Sequence, residues 1–472
     1  MSTGRLGSAA FLLLTLMLLR ASYVQCSSEY TYYGYVPSRI WRAEPVLGWL
    51  SGVPVGEDWE IDPLTVTDFA LLSVVACQDD TEVKVYSLPD KELVRVATLD
   101  KMSKLFTKLP NGTFFKVEAN KLLSVTLISG KIGGQDLDPG LDFSHVPNSF
   151  YTSVDGGFVG KEFVFIASQG PSGLQYRIVA LEECEVKVED EDGNTVQTFR
   201  LSANEFEELI LGAFEAYGVT STGNVMVHTT GLGFIPSVDG GYIGKYFFST
   251  CQVEWWPSRA RSPNSFQISA SQETKVTIYD VELRKFLEQL TVPSGENIIM
   301  KPVAKEIFIE ADKPVTMMYV NNDGTYGYGA GLSFMGLGAD QNALVYVPTD
   351  PTRQESYIFT CEETVVTIDS APIKLSADSI FSLSAGLHEI ATDKNILIQS
   401  TYWAAHTPIQ GIQSFAAVIP AVEMVNTKEE IQLKPMTSEE SDPSDYLLYI
   451  AVAVAAAAAV GVGYSLRAKG KP

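Results

Sequence analysis

One stretch of the sequence has the composition of a phosphate-binding loop, namely SVDGGFVGKEF at positions 153–163. In a P-loop, four residues separate the two glycines, a Ser or Thr follows the lysine, and a helix begins there. Gly156 and Gly160 are one residue too close, Glu162 follows Lys161, and EFVFIA alternates like a strand. The stretch therefore predicts a turn before a strand, with no bound nucleotide.

Catalytic and zinc-binding patterns are weak elsewhere. Nucleophilic catalysis needs a Ser or Cys beside a His and an acid, but the chain has no GxSxG motif and only four scattered histidines. No CxxC or Cys/His cluster predicts zinc. We expect no enzymatic activity and no cofactor other than calcium. A secreted-side glycan hydrolase is the remote alternative, since 57 acidic residues offer many carboxylate pairs.

The connection at 133–157 is the candidate calcium site. Calcium binds several carboxylate and carbonyl oxygens, and this connection concentrates four aspartates. They are Asp136, Asp138, Asp142 and Asp155. The pattern is not an EF-hand, because Pro139 and the missing terminal Glu break it. Asx turns in a long connection are the reading we favour.

A second connection, at 321–341, is rich in glycine and aromatic residues. Exposed rings there suit stacking on sugars or packing on a partner, and packing within the protein is the competing interpretation. The ligand-loop candidates are Tyr326, Tyr328 and Phe334. Asn111, in NGT, is the single acceptor sequon for glycosylation.

The first motif returns 84 residues later as SVDGGYIGKYF, with eight of eleven positions identical. Such a match indicates internal duplication. The glycine pairs are expected to supply positive φ angles, the aspartates to accept bonds from nearby amides, and Gly-Lys to start a strand. These turn residues are Asp155, Gly156, Gly157, Gly160 and Lys161, and then Asp239, Gly240, Gly241, Gly244 and Lys245.

Two alternating strands recur four times along the chain. One contains Val83, Val186, Val276 and Val366; the other lies around Val125, Val225, Val315 and Ile396. The unit is about ninety residues long, with six or seven short strands, which suits a β-sandwich. We therefore predict an all-β fold of tandem β-sandwich modules, with a propeller-like ring as the alternative. EDEDGNTVQTF predicts a hairpin, and SANEFEELIL a strand.

In these repeated motifs the chain resembles the amino-terminal domain of IgGFc-binding protein and its prokaryotic relatives. The resemblance rests on GKEFVF and GKYFFS, SFQISASQETKVTIYD, LSANEFEELIL before STGN, and ADKPVTMMYVN, and covers most of 60–405. The cysteine-rich von Willebrand-type domains of the animal protein are missing. The resemblance implies an extracellular binding or adhesion module on a bacterial or archaeal surface.

Both chain ends carry membrane signals. Arg5 and the apolar run at 9–19 are typical of a signal peptide, with lipid-modified Cys26 as the alternative to its removal. The uncharged run at 446–466 is long enough to span a bilayer, and the basic tail after it places the N-terminus outside.

The predicted organisation is a signal peptide at 1–26 and modules at 27–150, 151–235, 236–340 and 341–425. A solvated acidic stalk at 426–445, a transmembrane helix at 446–466 and a cytoplasmic tail at 467–472 follow. Four cysteines remain after signal removal, and three disulfide pairings are open. They are Cys77, Cys184, Cys251 and Cys361.

The net charge of −23 argues against nucleic acid as a partner. The sequence therefore predicts a single-pass plasma-membrane protein of the cell surface that recognises an extracellular protein or glycan through its inter-module loops. A structural envelope subunit that associates with its own copies is the alternative.

Overall fold

The computed structural model describes residues 30–41, 66–129, 150–167, 176–212, 214–229, 233–251, 265–320, 332–348, 355–401, 415–425 and 432–436. Regular structure in these ranges consists of β-strands and one 3-10 turn, Val422–Met424. The all-β prediction is confirmed. Among the described residues, no helix is long and apolar enough to span a membrane, and the predicted span at 446–466 lies outside them.

Module 1 is a sandwich of two four-stranded sheets. Its strands are β1 Tyr30–Tyr35, β2 Ile40–Trp41, β3 Val66–Thr67, β4 Phe69–Ala76, β5 Thr81–Leu88, β6 Glu92–Leu99, β7 Lys104–Pro110, β8 Phe114–Ala119 and β9 Leu123–Ser129. One sheet has the order β1-β8-β5-β6, and the other joins β9, β4 and β7. Alternation places Val83 and Val85 of the first sheet and Leu72 and Val74 of the second in one core.

Modules 2 and 3 share a second arrangement, in which one long strand runs through both sheets. Module 2 contains β10 Gly160–Ile166, β11 Tyr176–Ala180, β12 Cys184–Asp190, β13 Thr195–Leu201, β14 Phe206–Leu209 and β15 Ala216–Thr229. The first half of β15 pairs with β10 and β12, and its second half pairs with β11.

Module 3 repeats this pattern around its own long strand. It contains β16 Gly233–Ile235, β17 Ile243–Thr250, β18 Ser265–Ala270, β19 Thr274–Asp280, β20 Lys285–Val292, β21 Glu296–Met300 and β22 Glu306–Val320. Because β16 pairs with β22, strand pairing groups it with module 3. The predicted strand in SANEFEELIL is present as β14, and β21 is the corresponding strand of module 3.

Module 4 again has two separate sheets. Its strands are β23 Leu332–Leu337, β24 Asn342–Val347, β25 Tyr357–Thr360, β26 Thr364–Ile368, β27 Ala371–Leu375, β28 Ser379–Ser382, β29 Gly386–Thr392 and β30 Ile396–Thr401. The sheet orders are β23-β30-β25-β28 and β24-β29-β26-β27.

The last strand of the described chain, β31 Ala416–Ile419, does not pair within module 4. It pairs with β9 and completes the second sheet of module 1. In modules 2, 3 and 4 the strand that occupies the place of β31 comes from the module itself. We call it the axial strand; it is the bridged segment at Phe150 in module 2, β16 in module 3 and β23 in module 4. Module 1 therefore takes its axial strand from the far end of the chain.

Contacts between successive modules form a closed ring. Val164 of module 2 packs on Val75 of module 1. Arg177 of module 2 donates to Thr250 of module 3, and Thr316 of module 3 donates to the Leu344 carbonyl of module 4. The β-sandwich modules are thus joined to one another in a ring.

Module 4 contacts module 1 on the far side of that ring. The Tyr33 ring lies 5.8 Å from the Phe359 ring. Gln399 exchanges two hydrogen bonds with the Tyr35 backbone, of 2.6 and 2.8 Å. Because Gln399 is buried, these bonds join β30 to β1 without solvent between them.

Three outer edge strands carry the same irregularity. The pairing of β5 with β6, β12 with β13 and β19 with β20 each shifts register by one residue. A bulge twists an edge away from further pairing. In module 4, Pro372 lies in the outer strand β27, where it removes a donor from the edge.

Two expectations need correction. The four cysteines are free thiols, so none of the three disulfide pairings forms. Burial raises the pKa of Cys77 and Cys251 to about 12. Part of the stalk predicted at 426–445 to be solvated packs on the folded modules. Met436 is buried in the hydrophobic core that includes module 3, and Asn204 donates a hydrogen bond to the Lys434 carbonyl.

Candidate functional site

Two copies of the SVDGG motif form matching turns between an axial strand and the next strand. In both, the first glycine has a positive φ, 98° at Gly156 and 99° at Gly240. Its amide donates to the serine carbonyl three residues earlier, Ser153 or Ser237. We call 153–160, 237–244 and the corresponding segment 336–341 of module 4 the axial turns.

The other residues of the motif fit the same turn. A Cβ at Gly160 would lie 2.6 Å from Ser153 Cβ, and one at Gly244 would lie 1.8 Å from Ser237 Oγ. Glycine is therefore required for the serine to fit under the strand that follows. Asp239 accepts the Lys245 amide, as predicted for the motif, whereas Asp155 is exposed.

The terminal segment Phe415–Val425, here called the closing segment, lies against the axial turns. It begins with β31 and ends with the 3-10 turn. The Glu423 carboxylate accepts the Thr31 amide at 2.8 Å, and Asn395 Nδ2 donates to the Val422 carbonyl at 2.9 Å. The first described strand, β1, and the closing segment therefore meet at this place.

Glycines in the axial turns make room for the closing segment. A Cβ at Gly156 would lie 1.2 Å from Met424 Cε, and one at Gly336 would lie 1.8 Å from Val425 Cγ1. Gly241 faces the Val425 carbonyl at 3.6 Å. With β31 in module 1, the closing segment contacts all four modules.

Glu423 is the one acidic side chain of this segment, and it is exposed to solvent although protein atoms surround part of its carboxylate. Burial raises its pKa above the ordinary value, and the hydrogen bond from the Thr31 amide partly opposes that rise. The site binds a peptide segment through ladder bonds, apolar contacts and this carboxylate. It is filled by the protein's own chain.

Sequence reasoning missed the closing segment, although a signal was present. FAAVIPAVE at 415–423 corresponds by strand pairing to SFYTSVDGG at 149–157 and to GFIPSVDGG at 233–241. The apolar character of the strand is shared, whereas Ala416 replaces the aromatic residue and Val422 and Glu423 replace the glycine pair. Without the glycines, the fourth copy was read as the end of module 4.

Most of the predicted ligand residues lie outside the described ranges, namely Asp136, Asp138, Asp142, Tyr326 and Tyr328. Within the part of the chain that the structure describes, no group of three His, Cys, Asp or Glu residues is placed to hold a metal ion. Asn111 is partly buried in the turn between β7 and β8.

Phe334 lies within the described residues. Its side chain is 4% exposed and is buried at the axis of the ring of modules. It lines one small cavity together with Phe150 and Phe234, which occupy the corresponding positions of modules 2 and 3, and with Val418 of β31 in module 1. Packing within the protein, rather than ligand contact, is therefore the role of Phe334.

A buried ionic cluster joins modules 2 and 3. Register places Glu208, Arg177 and His228 side by side on β14, β11 and β15. Glu306 of module 3 reaches between them, 3.1 Å from Arg177 Nη1 and 3.0 Å from His228 Nε2. Arg177 Nη2 lies 2.7 Å from Glu208 Oε1.

Burial alone would lower the pKa of Arg177, but the carboxylates of Glu306 and Glu208 outweigh it and raise the pKa. The Arg177 and Glu306 side chains are 1% and 0% exposed, so the centre of the cluster is closed to solvent, while Glu208 at its edge is 20% exposed. His228 contacts Glu306 and packs against Phe150. The cluster holds two modules together.

Module 4 contains an arrangement that the sequence did not reveal. His388 Nδ1 lies 2.8 Å from Asp369 Oδ2, and its Nε2 lies 3.1 Å from Ser384 Oγ. This is the connectivity of a Ser-His-Asp triad. No sequence motif indicates this arrangement, because Asp369 lies in the turn between β26 and β27, Ser384 lies in the turn between β28 and β29, and only the fold brings them to His388.

The surroundings of these three residues favour a structural role. Nε2 also lies 2.9 Å from the carbonyl oxygen of Ser384 itself. His388 stands two residues before the core residue Ile390 on the same face of β29, while Ser384 is exposed. Although burial opposes it, hydrogen bonds from His388 and the Glu389 amide lower the pKa of Asp369. We interpret the three residues as a polar cap on the core of module 4.

Comparisons with known proteins add little to this geometry. No family model matches the chain, and no curated protein matches it. Among solved structures, a tetra-tandem repeat in the extending region of a large adhesion protein matches at 11% identity. The match covers 75% of this chain and 93% of that one, with a TM-score of 0.10. A TM-score this low establishes no common fold.

Proposed function

We propose that this protein is a cell-surface binding or adhesion protein, held in the plasma membrane by a single C-terminal span. The observation that carries the proposal is the meeting of Thr31 and Glu423 at the axial turns. Residues 1–26 and 446–466 carry the sequence signals for export and anchoring. A stalk that begins after the packed residues Lys434 and Met436 and leaves the ring on this side would place the axial turns toward the membrane.

The direction of the axial strands then orients the rest of the ring. Each axial strand begins at an inter-module connection and ends at its turn, as β16 and β23 do. The axial strands of modules 2 and 4, which follow residues 130–149 and 321–331 in the sequence, therefore begin at the end of the ring opposite the turns. This geometry supports recognition of an extracellular protein or glycan by those connections.

The outer edges favour binding over assembly into an envelope layer. Bulges in three modules and Pro372 in the fourth discourage strand pairing between rings. A structural subunit that extends its sheets from copy to copy is therefore the less supported alternative.

The test uses the ectodomain, residues 27–445, on glycan and extracellular-protein arrays. We expect a monodisperse ring that is retained by one ligand class. Replacing 321–331 with a Gly-Ser segment of equal length should abolish retention, while the same replacement of 252–264, within module 3, should not. Ordered two-dimensional arrays without ligand retention would contradict the proposal.

A further inference from the structure

Module 3 carries a row of four aromatic side chains on one face of its first sheet. Tyr246, Phe308, Tyr279 and Phe286 come from the neighbouring strands β17, β22, β19 and β20. Successive ring centroids are 6.2, 6.0 and 6.3 Å apart. Phe308 is buried, Tyr246 and Tyr279 are half-buried, and Phe286 is 55% exposed.

The fold itself does not require these rings. The same register positions in module 2, fixed by matching bulges, are polar or small, as Glu162, Gly218, Glu189 and Thr195 show. Both modules form the same sheet with the same pairing. Aromatic residues at these positions are therefore a property of module 3 and not of the repeat.

A row of hydrogen-bonding side chains runs beside the rings on the same face. Thr277, two residues before Tyr279, pairs with Glu310 on one side and Gln289 on the other. Gln289 Nε2 donates to Thr277 Oγ1 at 3.0 Å, and both Gln289 and Glu310 are exposed. The face thus alternates between apolar rings and polar groups open to solvent.

We propose that this face of module 3 binds a neutral oligosaccharide. Pyranose rings combine apolar C–H faces with hydroxyl groups, so they match a face that combines Phe286 and Tyr279 with Gln289 and Glu310. The carboxylate of Glu310 and the net charge of −23 disfavour acidic glycans.

A protein partner suits this surface less well. Hot spots of protein interfaces are apolar centres fully desolvated by a polar rim, whereas here polar side chains alternate with the rings. The inference rests on the proposed surface-binding function, because it names a ligand class for that function and adds a sheet face to the connections as a place of recognition.

Calorimetric titration of the full ectodomain with soluble chitohexaose, cellohexaose and mannohexaose tests the inference. At least one should bind, and Phe286→Ala or Tyr279→Ala should weaken it by about tenfold. Phe286→Trp should keep the affinity and change its emission on saturation. Leu283→Ala is the matched control, since Leu283 is a 60% exposed apolar residue outside the row.

Unchanged affinity in Phe286→Ala, with melting temperatures equal to the parent, would overturn this site while leaving the surface-binding function intact. No heat and no emission change in Phe286→Trp with any of the three sugars would also overturn it. Failure of the proposed function is distinct, because it would appear as loss of retention on every glycan and protein array.

Discussion

The Met424 methyl group occupies the space that a side chain at Gly156 would need: a Cβ there would lie 1.2 Å from Met424 Cε. Residues 268 positions apart are thus fitted to each other at the ring axis. The repeated glycine has two roles, a positive φ in the turn and an open place for the closing segment.

Gly156→Ala separates these two roles. The substitution meets both a left-handed backbone and the Met424 side chain, whereas Gly193→Ala meets a positive φ with open space around it. We expect Gly193→Ala to lower the free energy of unfolding by about 1 kcal/mol and Gly156→Ala by about 1–2 kcal/mol more. Chemical denaturation of both variants measures the difference.

Met424→Ala, which shortens the side chain that faces Gly156, provides the control for the denaturation of Gly156→Ala. In a Met424→Ala background, the additional cost of Gly156→Ala should disappear, leaving a value close to that of Gly193→Ala. An unchanged cost in this background would show that Met424 does not occupy the space beside Gly156.

The buried ionic cluster should be costly to break. Arg177→Met leaves Glu306 buried next to His228 without its guanidinium partner. We expect a loss of about 3–5 kcal/mol in the free energy of unfolding. Lys187→Met, which removes the exposed ion pair with Glu189, is the control and should change stability by less than about 1 kcal/mol. Equal effects of the two variants would contradict a closed cluster.

Asp378 should make the free energy of unfolding decrease as the pH falls into the acid range. Although burial opposes it, hydrogen bonds from Lys116, Lys91 and Tyr33 lower the pKa of Asp378 from 3.8 to about 2. A lowered folded pKa means that its contribution is present above the unfolded value and lost as pH falls through the folded value. Stability should therefore fall between about pH 4 and pH 2.

Asp378→Asn tests that assignment. The variant should lose about 2 kcal/mol at pH 7 and show a flatter decline from pH 4 to pH 2 than the parent. Asp192→Asn, at an exposed hairpin tip, should follow the parent curve. A parallel decline in all three proteins would show that Asp378 does not carry the effect.

If Ser384, His388 and Asp369 form a polar cap on module 4, they should stabilise the fold, and Ser384 should not react as a nucleophile. His388→Phe removes the hydrogen bonds of the ring to Asp369 and to Ser384 at the end of the core and should lower the melting temperature, while Ser384→Ala should change it little. A fluorophosphonate probe should leave Ser384 unlabelled. Stoichiometric labelling at Ser384, absent in His388→Phe, would identify a catalytic triad instead.

Local patterns predicted local structure well. Period-two alternation located the paired strands, and the Asp192-Gly193 turn and β14 are present as expected. The glycine repeats predicted the axial turns because a positive φ at Gly156 and Gly240 is a local requirement. These features depend on a few neighbouring residues, and the sequence contains all of them.

Long-range closure could not be obtained in this way. β31 completes a sheet with β9, almost three hundred residues earlier, and nothing within either strand specifies the other. Phe334 was read as a loop residue because its burial depends on three other modules meeting at the axis. The Ser384, His388 and Asp369 arrangement likewise arises from turns that fold toward one another.

Ring closure by the closing segment is the central claim, and one cross-link tests it most directly. Leu127 and Ala417 face each other as Cα partners in β9 and β31. In the Leu127→Cys/Ala417→Cys ectodomain, mild oxidation should join the two peptides within one chain, as detected by mass spectrometry of the monomer band. Leu127→Cys/Ala391→Cys, with the second cysteine on β29, should give no such link. Absence of the 127–417 link in the monomer would contradict a ring closed by its own C-terminal segment.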